Sequence, residues 1–129
     1  MEDQKVIVVA DDDAQIDGLI AFRLQRLGFI VHVGQNGAEA LDLIRSVSPN
    51  LVVLDVMMPV MDGFEVLREM KRDSETWDIP AIMLTAREME EDKLKGFELG
   101  AVDYVTKPFS PAELTARIHA NLNGHHRLP

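Results

Sequence analysis

The chain has 129 residues, about the length of one domain, and its 47% apolar residues include only 5% aromatics, so a core of Val, Ile, Leu, Met and Ala is expected. It has no cysteine, which excludes disulfide scaffolds, thiol catalysis and Cys-ligated metal sites. Thirteen basic against 22 acidic residues leave a net charge of −9 with His neutral, a surface that repels nucleic-acid phosphates and anionic lipid. The longest apolar runs, such as Val6–Ala10 and Leu51–Leu54, are too short to span a bilayer. Met1-Glu2-Asp3-Gln4-Lys5 lacks the basic and apolar regions of a secretory signal. The expectation is a soluble cytoplasmic domain with no direct contact to nucleic acid or membrane.

Val6–Ala10 is a continuous apolar run, as in a strand buried on both faces. From Ala14 to Leu27 the apolar positions Ile16, Leu19, Ile20, Leu24 and Leu27 recur at three and four, predicting one helix face that Gly28 stops. Phe29–Val33 reads as a second strand. Asn36 caps a helix carrying Ala40, Leu41, Ile44 and Val47, which ends before Pro49. Leu51–Leu54 is the third strand, followed by a helix with Phe64, Leu67 and Met70 inward and a polar loop holding Trp77. Ala81–Leu84 is the fourth strand, Glu88–Leu99 a charged helix stopped by Gly100, and Tyr104–Thr106 the fifth strand. Ser110-Pro111-Ala112-Glu113 has the pattern of a capping box with Pro at the first helical position and opens a helix to about Asn123. Five βα units with short connections predict an α/β domain, an open parallel sheet with helices on both faces, over residues 1–123. Residues 124–129 read as a tail or the start of a linker.

In such sheets ligands bind beyond the carboxyl ends of the strands. There the first strand delivers Asp11, Asp12 and Asp13, the third Asp55, the fourth Thr85 and Ala86, and the fifth Lys107-Pro108. Carboxylates gathered in one cleft raise one another's pKa unless a cation joins them, and an oxygen-only set suits Mg²⁺, with Mn²⁺ able to substitute. Asp11, Asp12 and Asp55 with Lys107 and one divalent ion balance to zero, leaving room for an incoming phosphoryl group. A carboxylate facing a metal and a lysine can act as a nucleophile, and phosphoryl transfer asks the protein mainly for positioning and charge neutralisation.

The pieces Val8-Val9-Ala10-Asp11-Asp12, Leu54-Asp55-Val56-Met57-Met58-Pro59, Met61-Asp62-Gly63, Leu84-Thr85-Ala86 and Gly100–Phe109, in this order and spacing, resemble a response-regulator receiver domain over nearly all of residues 5–123. The resemblance implies a (βα)5 flavodoxin-like doubly wound fold with strand order 2-1-3-4-5. It implies a signalling switch in which Asp55 accepts a phosphoryl group from a histidine kinase or a small donor such as acetyl phosphate. Mg²⁺ would be held by Asp12, Asp55 and the Met57 backbone carbonyl, with Asp11 acting through water. Met57, Thr85, Ala86 and Lys107 would contact the phosphoryl group, the peptide before Pro108 would be cis, and Thr85 with Tyr104 would form the switch. The only chemistry implied is the chain's own phosphorylation and dephosphorylation, without multiple turnover.

Taken alone, several of these residues have plainer readings. Asp13 is assigned as a helix cap, with first-turn acids favoured by the helix dipole. Thr85 suits a β-branched strand end, Lys107 a solvated surface, and Tyr104 a packing aromatic. The seven methionines read as gap-filling packing rather than a copper or partner groove. His32, His119, His125 and His126 form no ligand set, and Glu88, Glu90, Glu91 and Asp92 read as a solvated acidic turn. Trp77 is expected away from the acidic edge and so to report poorly on ligands there.

Glu91-Asp92-Lys93, Gly100-Ala101, Lys107–Pro111, Glu113-Leu114 and Ala116-Arg117 give the closest resemblance to OmpR/PhoB-type receivers, which pair through the fourth helix, fifth strand and fifth helix. Lys93 with Glu113, and Asp103 with Arg117, would be intersubunit ion pairs of a homodimer formed on phosphorylation. Val102 and His119 replace an Asp and a Lys usual there, so one rim pair is missing and weakened or altered pairing is expected. Met57 and Arg87, two residues past Asp55 and Thr85, would crowd the path of an attacking water and slow dephosphorylation. The alternatives are an aspartate-nucleophile phosphohydrolase of the haloacid-dehalogenase class, which carries a second acid where Met57 stands, and an interaction module that has lost the chemistry. No nucleotide-binding glycine loop is present. Output would pass to a protein partner or to a further C-terminal domain.

Overall fold

The computed structural model describes residues 4–86 and 90–123. The chain runs β1 (Val6–Ala10), α1 (Ala14–Arg26), β2 (Ile30–Gly34), α2 (Gly37–Val47), β3 (Leu51–Asp55), α3 (Gly63–Arg72), β4 (Ala81–Ala86), α4 (Glu90–Leu99), β5 (Asp103–Lys107) and α5 (Pro111–Asn123). All four pairings are parallel and the order is β2-β1-β3-β4-β5, the doubly wound flavodoxin-like arrangement. Among the described residues no helix is long and apolar enough to cross a membrane.

Alternation along each strand divides the core in two. Val8, Ala10, Val52 and Leu54 face α2 and α3, meeting Ile44, Leu67 and Met70. Ile7, Val9, Leu51 and Val53 face α1 and α5, meeting Leu24 and Ile118. The register aligns Ala10 with Leu54, Asp55 with Leu84 and Ala86 with Lys107, so the chemistry-bearing residues end on one edge.

Helix starts are fixed by side-chain caps that satisfy otherwise unpaired N–H groups. Asp13 Oδ1 accepts from Gln15 N–H (2.9 Å) and Ile16 N–H (3.4 Å), Asn36 Oδ1 from Glu39 N–H (2.9 Å), and Ser110 Oγ from Glu113 N–H (2.9 Å). At α3 the capping is reciprocal: Glu65 N–H donates to Asp62 Oδ1 (2.8 Å) and Asp62 N–H to Glu65 Oε1 (2.9 Å).

Two sequence expectations change. β3, β4 and β5 extend one or two residues further than expected, because ladder pairing continues through Asp55, Thr85, Ala86, Asp103 and Lys107. The buried face of α1 is Asp17, Ile20 and Leu24, while Leu19, Phe22 and Leu27 point outward. The predicted start of the fourth helix at Glu88, the side chain of Arg87 and the tail 124–129 lie outside the described residues.

Candidate functional site at the carboxyl edge of the sheet

Asp11 follows β1, and Asp55 closes β3 between the two central neighbours of that strand. Carboxylate oxygens of Asp11, Asp12 and Asp55 all lie within 4.8 Å of one another, with Asp11 and Asp55 buried and Asp12 exposed. Asp13 N–H donates to Asp11 Oδ1 (2.9 Å), and Met57 N–H donates to Asp55 Oδ1 (3.2 Å), which fixes both carboxylates. Behind Asp55, Gly63 N–H donates to Val56 O (3.0 Å), and a Cβ at Gly63 would run into the Asp55 carbonyl. Only glycine lets α3 start this close.

Lys107, at the end of β5 and followed by a cis peptide to Pro108, spans the carboxylates. Its Nζ donates to Asp55 Oδ2 (3.2 Å) and lies 2.9 Å from Asp11 Oδ2. Burial opposes the Lys107 charge, but the bonds and charges of Asp11 and Asp55 prevail and raise its pKa. Asp55 is pushed up to about 6, by burial first and then by the charge of Asp11; Lys107 and the Met57 N–H only partly offset this. One ammonium is thus too little positive charge for this cluster. Three close oxygen donors with surplus negative charge fit a hard divalent cation.

Thr85, 1% exposed, brings its Oγ1 to this edge without a hydrogen-bond partner among the described residues. A buried hydroxyl left unpaired is costly and calls for a polar group that arrives later. Ala86 is exposed beside it, and Met57, two residues after Asp55, is 66% exposed. Tyr104 is not at the edge itself: it is buried on β5, with its ring edge-on to Phe97 of α4 at 5.0 Å between centroids.

The residues expected at a dimer face are spread over α4, β5 and α5. Asp103 and Arg117 pair within the chain (2.7 Å), and Arg117 also reaches Glu113 (3.6 Å). Lys93 lies on α4, half-buried, without an ion-pair partner among the described residues.

Two features escaped the sequence reading. Asp17 on α1 is 1% exposed, with Oδ1 unpaired and Oδ2 accepting a long bond from Gln35 Nε2 (3.4 Å). Burial first, then the Asp11 charge, push its pKa up to about 8. Its signal was the spacing 17, 20, 24, which places it on the apolar stripe with Ile20 and Leu24. The second is a groove of about 600 Å³ between α1 and α5, walled by Leu19, Ile20, Arg23, Phe109, Pro111 and Leu114 and also lined by Ala86 and Lys107 of the site.

Comparison with known proteins agrees with this geometry. The family described as response regulator receiver domain matches residues 7–119. The structure of the Francisella response regulator 1452 receiver domain is 33% identical with a TM-score of 0.86, covering 95% of this chain and 100% of that one. The Vibrio cholerae chemotaxis protein CheY4 is 30% identical with a TM-score of 0.85, covering 91% and 98%. The signal receiver domain of a histidine kinase from Syntrophus aciditrophicus is 29% identical with a TM-score of 0.86, covering 97% and 95%. With five parallel strands in the same order and the acidic cluster at their carboxyl ends, the chain belongs to the response regulator receiver domain family.

Proposed function

We propose that the chain is a phosphorylation-activated switch of a two-component system, with Asp55 as the phosphoacceptor. The observation that carries this reading is the buried Asp55 carboxylate, bonded to Lys107 and level with the unpaired Thr85 hydroxyl. An Asp55 oxygen attacks the donor phosphorus. The P–N bond of a phosphohistidine, or the P–O bond of a small donor such as acetyl phosphate, breaks, and the leaving group takes the electron pair. Lys107 neutralises charge on the moving group, Thr85 donates its hydroxyl to a phosphoryl oxygen, and backbone N–H groups at Met57 and Ala86 complete the cradle. Asp11, Asp12, Asp55 and the Met57 carbonyl would hold Mg²⁺, which when bound neutralises phosphoryl charge.

Phosphorylation takes Asp55 from −1 to roughly −2 and adds strong acceptor oxygens. Thr85 moves toward them, and Tyr104 couples that shift to the α4–β5–α5 face, where Lys93, Asp103, Glu113 and Arg117 support pairing in the OmpR/PhoB manner or a contact to a downstream protein or domain. The donor is a cytoplasmic histidine kinase. The α1–α5 groove, lined by Leu19, Ile20, Phe109 and Leu114 and reaching Lys107, suits the apolar face of its phosphohistidine helix.

The test is the intact mass after incubation with Mg²⁺ and acetyl phosphate. A single phosphoryl adduct, absent without Mg²⁺ and absent in Asp55→Asn, is expected. Repeated release of phosphate from added monoesters would instead mark a phosphohydrolase, and no adduct on folded protein, from acetyl phosphate or from a kinase, would mark an inert interaction module.

A further inference from the structure

Gly96 stands in the interior of α4, where glycine is disfavoured relative to alanine because it leaves the unfolded chain more freedom. Its position explains its presence. A Cβ built on Gly96 would lie 2.5 Å from Tyr104 Cζ and 2.8 Å from Cε2, and would overlap the Tyr104 hydroxyl outright. No side chain at 96 is compatible with the ring where it lies. Tyr104 is only 7% exposed, and Phe97, the next residue of α4, closes over it edge-on at 5.0 Å. The ring is therefore seated on bare helix backbone.

The seat is linked to the phosphorylation site through the strand register. Met83 pairs with Tyr104 and Thr85 with Thr106. Residues two apart on a strand share a face, so Thr85 and Tyr104 lie on the same face of the sheet, one pair apart. Tyr104 also packs in the same buried cluster as Met83 and Ala101. A ring held at Gly96 and a hydroxyl drawn toward Asp55 thus act on one continuous patch.

We propose that Gly96 is the positioning residue of the switch: its missing side chain admits the Tyr104 ring to its buried place and so sets the balance between buried and exposed ring, which is coupled to phosphoryl binding at Asp55. This rests on the switch function proposed above and adds the residue that sets its balance. A side chain at 96 drives the ring outward, and a state that requires the buried ring is then less populated. The apparent affinity for a phosphoryl mimic falls in proportion.

Tyr104 is the only tyrosine, so one isotope-labelled tyrosine ring reports its burial by NMR, with a soluble paramagnetic probe as the measure of exposure. Beryllofluoride in Mg²⁺ is the phosphoryl mimic, titrated calorimetrically. Gly96→Ala is expected to expose the ring and weaken beryllofluoride binding roughly tenfold. Tyr104→Ala and the double variant Gly96→Ala/Tyr104→Ala are expected to bind it equally, because the added methyl matters only when the ring is there. If Gly96→Ala is too unstable to titrate, urea unfolding carries the same cycle: Gly96→Ala should be less stable than the unsubstituted protein, whereas the double variant should be at least as stable as Tyr104→Ala, because alanine is the better helix former once the ring is gone.

A ring that stays buried in Gly96→Ala overturns the proposal. So does a double variant that loses as much as the single one, or an exposed ring with unchanged beryllofluoride affinity. If the unsubstituted protein neither binds beryllofluoride nor takes up phosphate, it is the switch function that fails. The ring-exposure measurement still judges the seat.

Discussion

Asp17, beneath the acidic edge, has little to offset its charge: a long bond from Gln35 and the Asp11 backbone N–H are outweighed by burial and by Asp11, Asp55 and Asp13 as charged neighbours. Its folded pKa of about 8 lies far above the 3.8 of an unfolded chain, so the folded state holds its proton more tightly. For an acid shifted upward, stability is lost as pH rises from the unfolded to the folded value and stays constant above that. In EDTA, Asp17→Asn should therefore leave stability unchanged below about pH 4 and raise it by roughly 2–4 kcal/mol at pH 8. Urea unfolding at several pH values checks this, and a gain that is the same at every pH would rule the ionisation account out. Met57 makes a separate case. Its side chain is 66% exposed and its N–H is bonded to the Asp55 carboxylate, so on the proposed function it would screen an acyl phosphate from water. Met57→Asn should shorten the phosphoprotein half-life about tenfold, read by loss of the mass adduct, and should leave the unfolding midpoint unchanged.

At the scale of elements, α3 presents Asp55 from behind, and the reciprocal Asp62–Glu65 cap holds its first turn. Asp62→Ala should cost about 1 kcal/mol in urea unfolding. It should also slow phosphorylation by acetyl phosphate, because Gly63 N–H anchors the loop that carries Met57. How much of such elements was legible in the sequence depended on how local the cause was. Strand runs of Val, Ile and Leu, the caps at Asp13 and Asn36, and the stops at Gly28 and Gly100 are written in neighbouring residues, and they hold. The acidic residues and Lys107 were legible as a site because three parallel strand ends, β1, β3 and β5, supply them on one edge. The outward turn of Leu19 was not, because α1 carries more apolar residues than one face can bury, and only the seat of α5 decides which stay out. Gly96 was equally opaque: its reason is a ring from β5, eight residues on.

At the scale of the whole molecule, a compact acidic cluster lies at the strand ends, and on the α4–β5–α5 face Asp103, Glu113 and Arg117 are already paired within the chain. Asp103 pairs with Arg117 at 2.7 Å, Arg117 reaches Glu113, and Asn121 Nδ2 donates to Asp103 Oδ2 at 3.2 Å. A symmetric dimer through this face would trade the intramolecular Asp103–Arg117 pair for an equivalent one across the interface, so that exchange adds little attraction. Exposed ion pairs contribute little in any case. Two chains of net charge −9 meanwhile repel over a distance set by ionic strength. Attraction between two such chains would then have to come from apolar contact, for which Leu94 and Phe97 on α4 are exposed. Association of the beryllofluoride-bound protein should accordingly strengthen as salt rises from about 20 to about 150 mM, where the screening length shortens to ~8 Å. Arg117→Ala should weaken it less than Phe97→Ala. Sedimentation velocity across that range decides the matter: dimerisation that weakens steadily with salt would mean that cross-interface ion pairs, including Lys93 with Glu113, dominate over apolar contact.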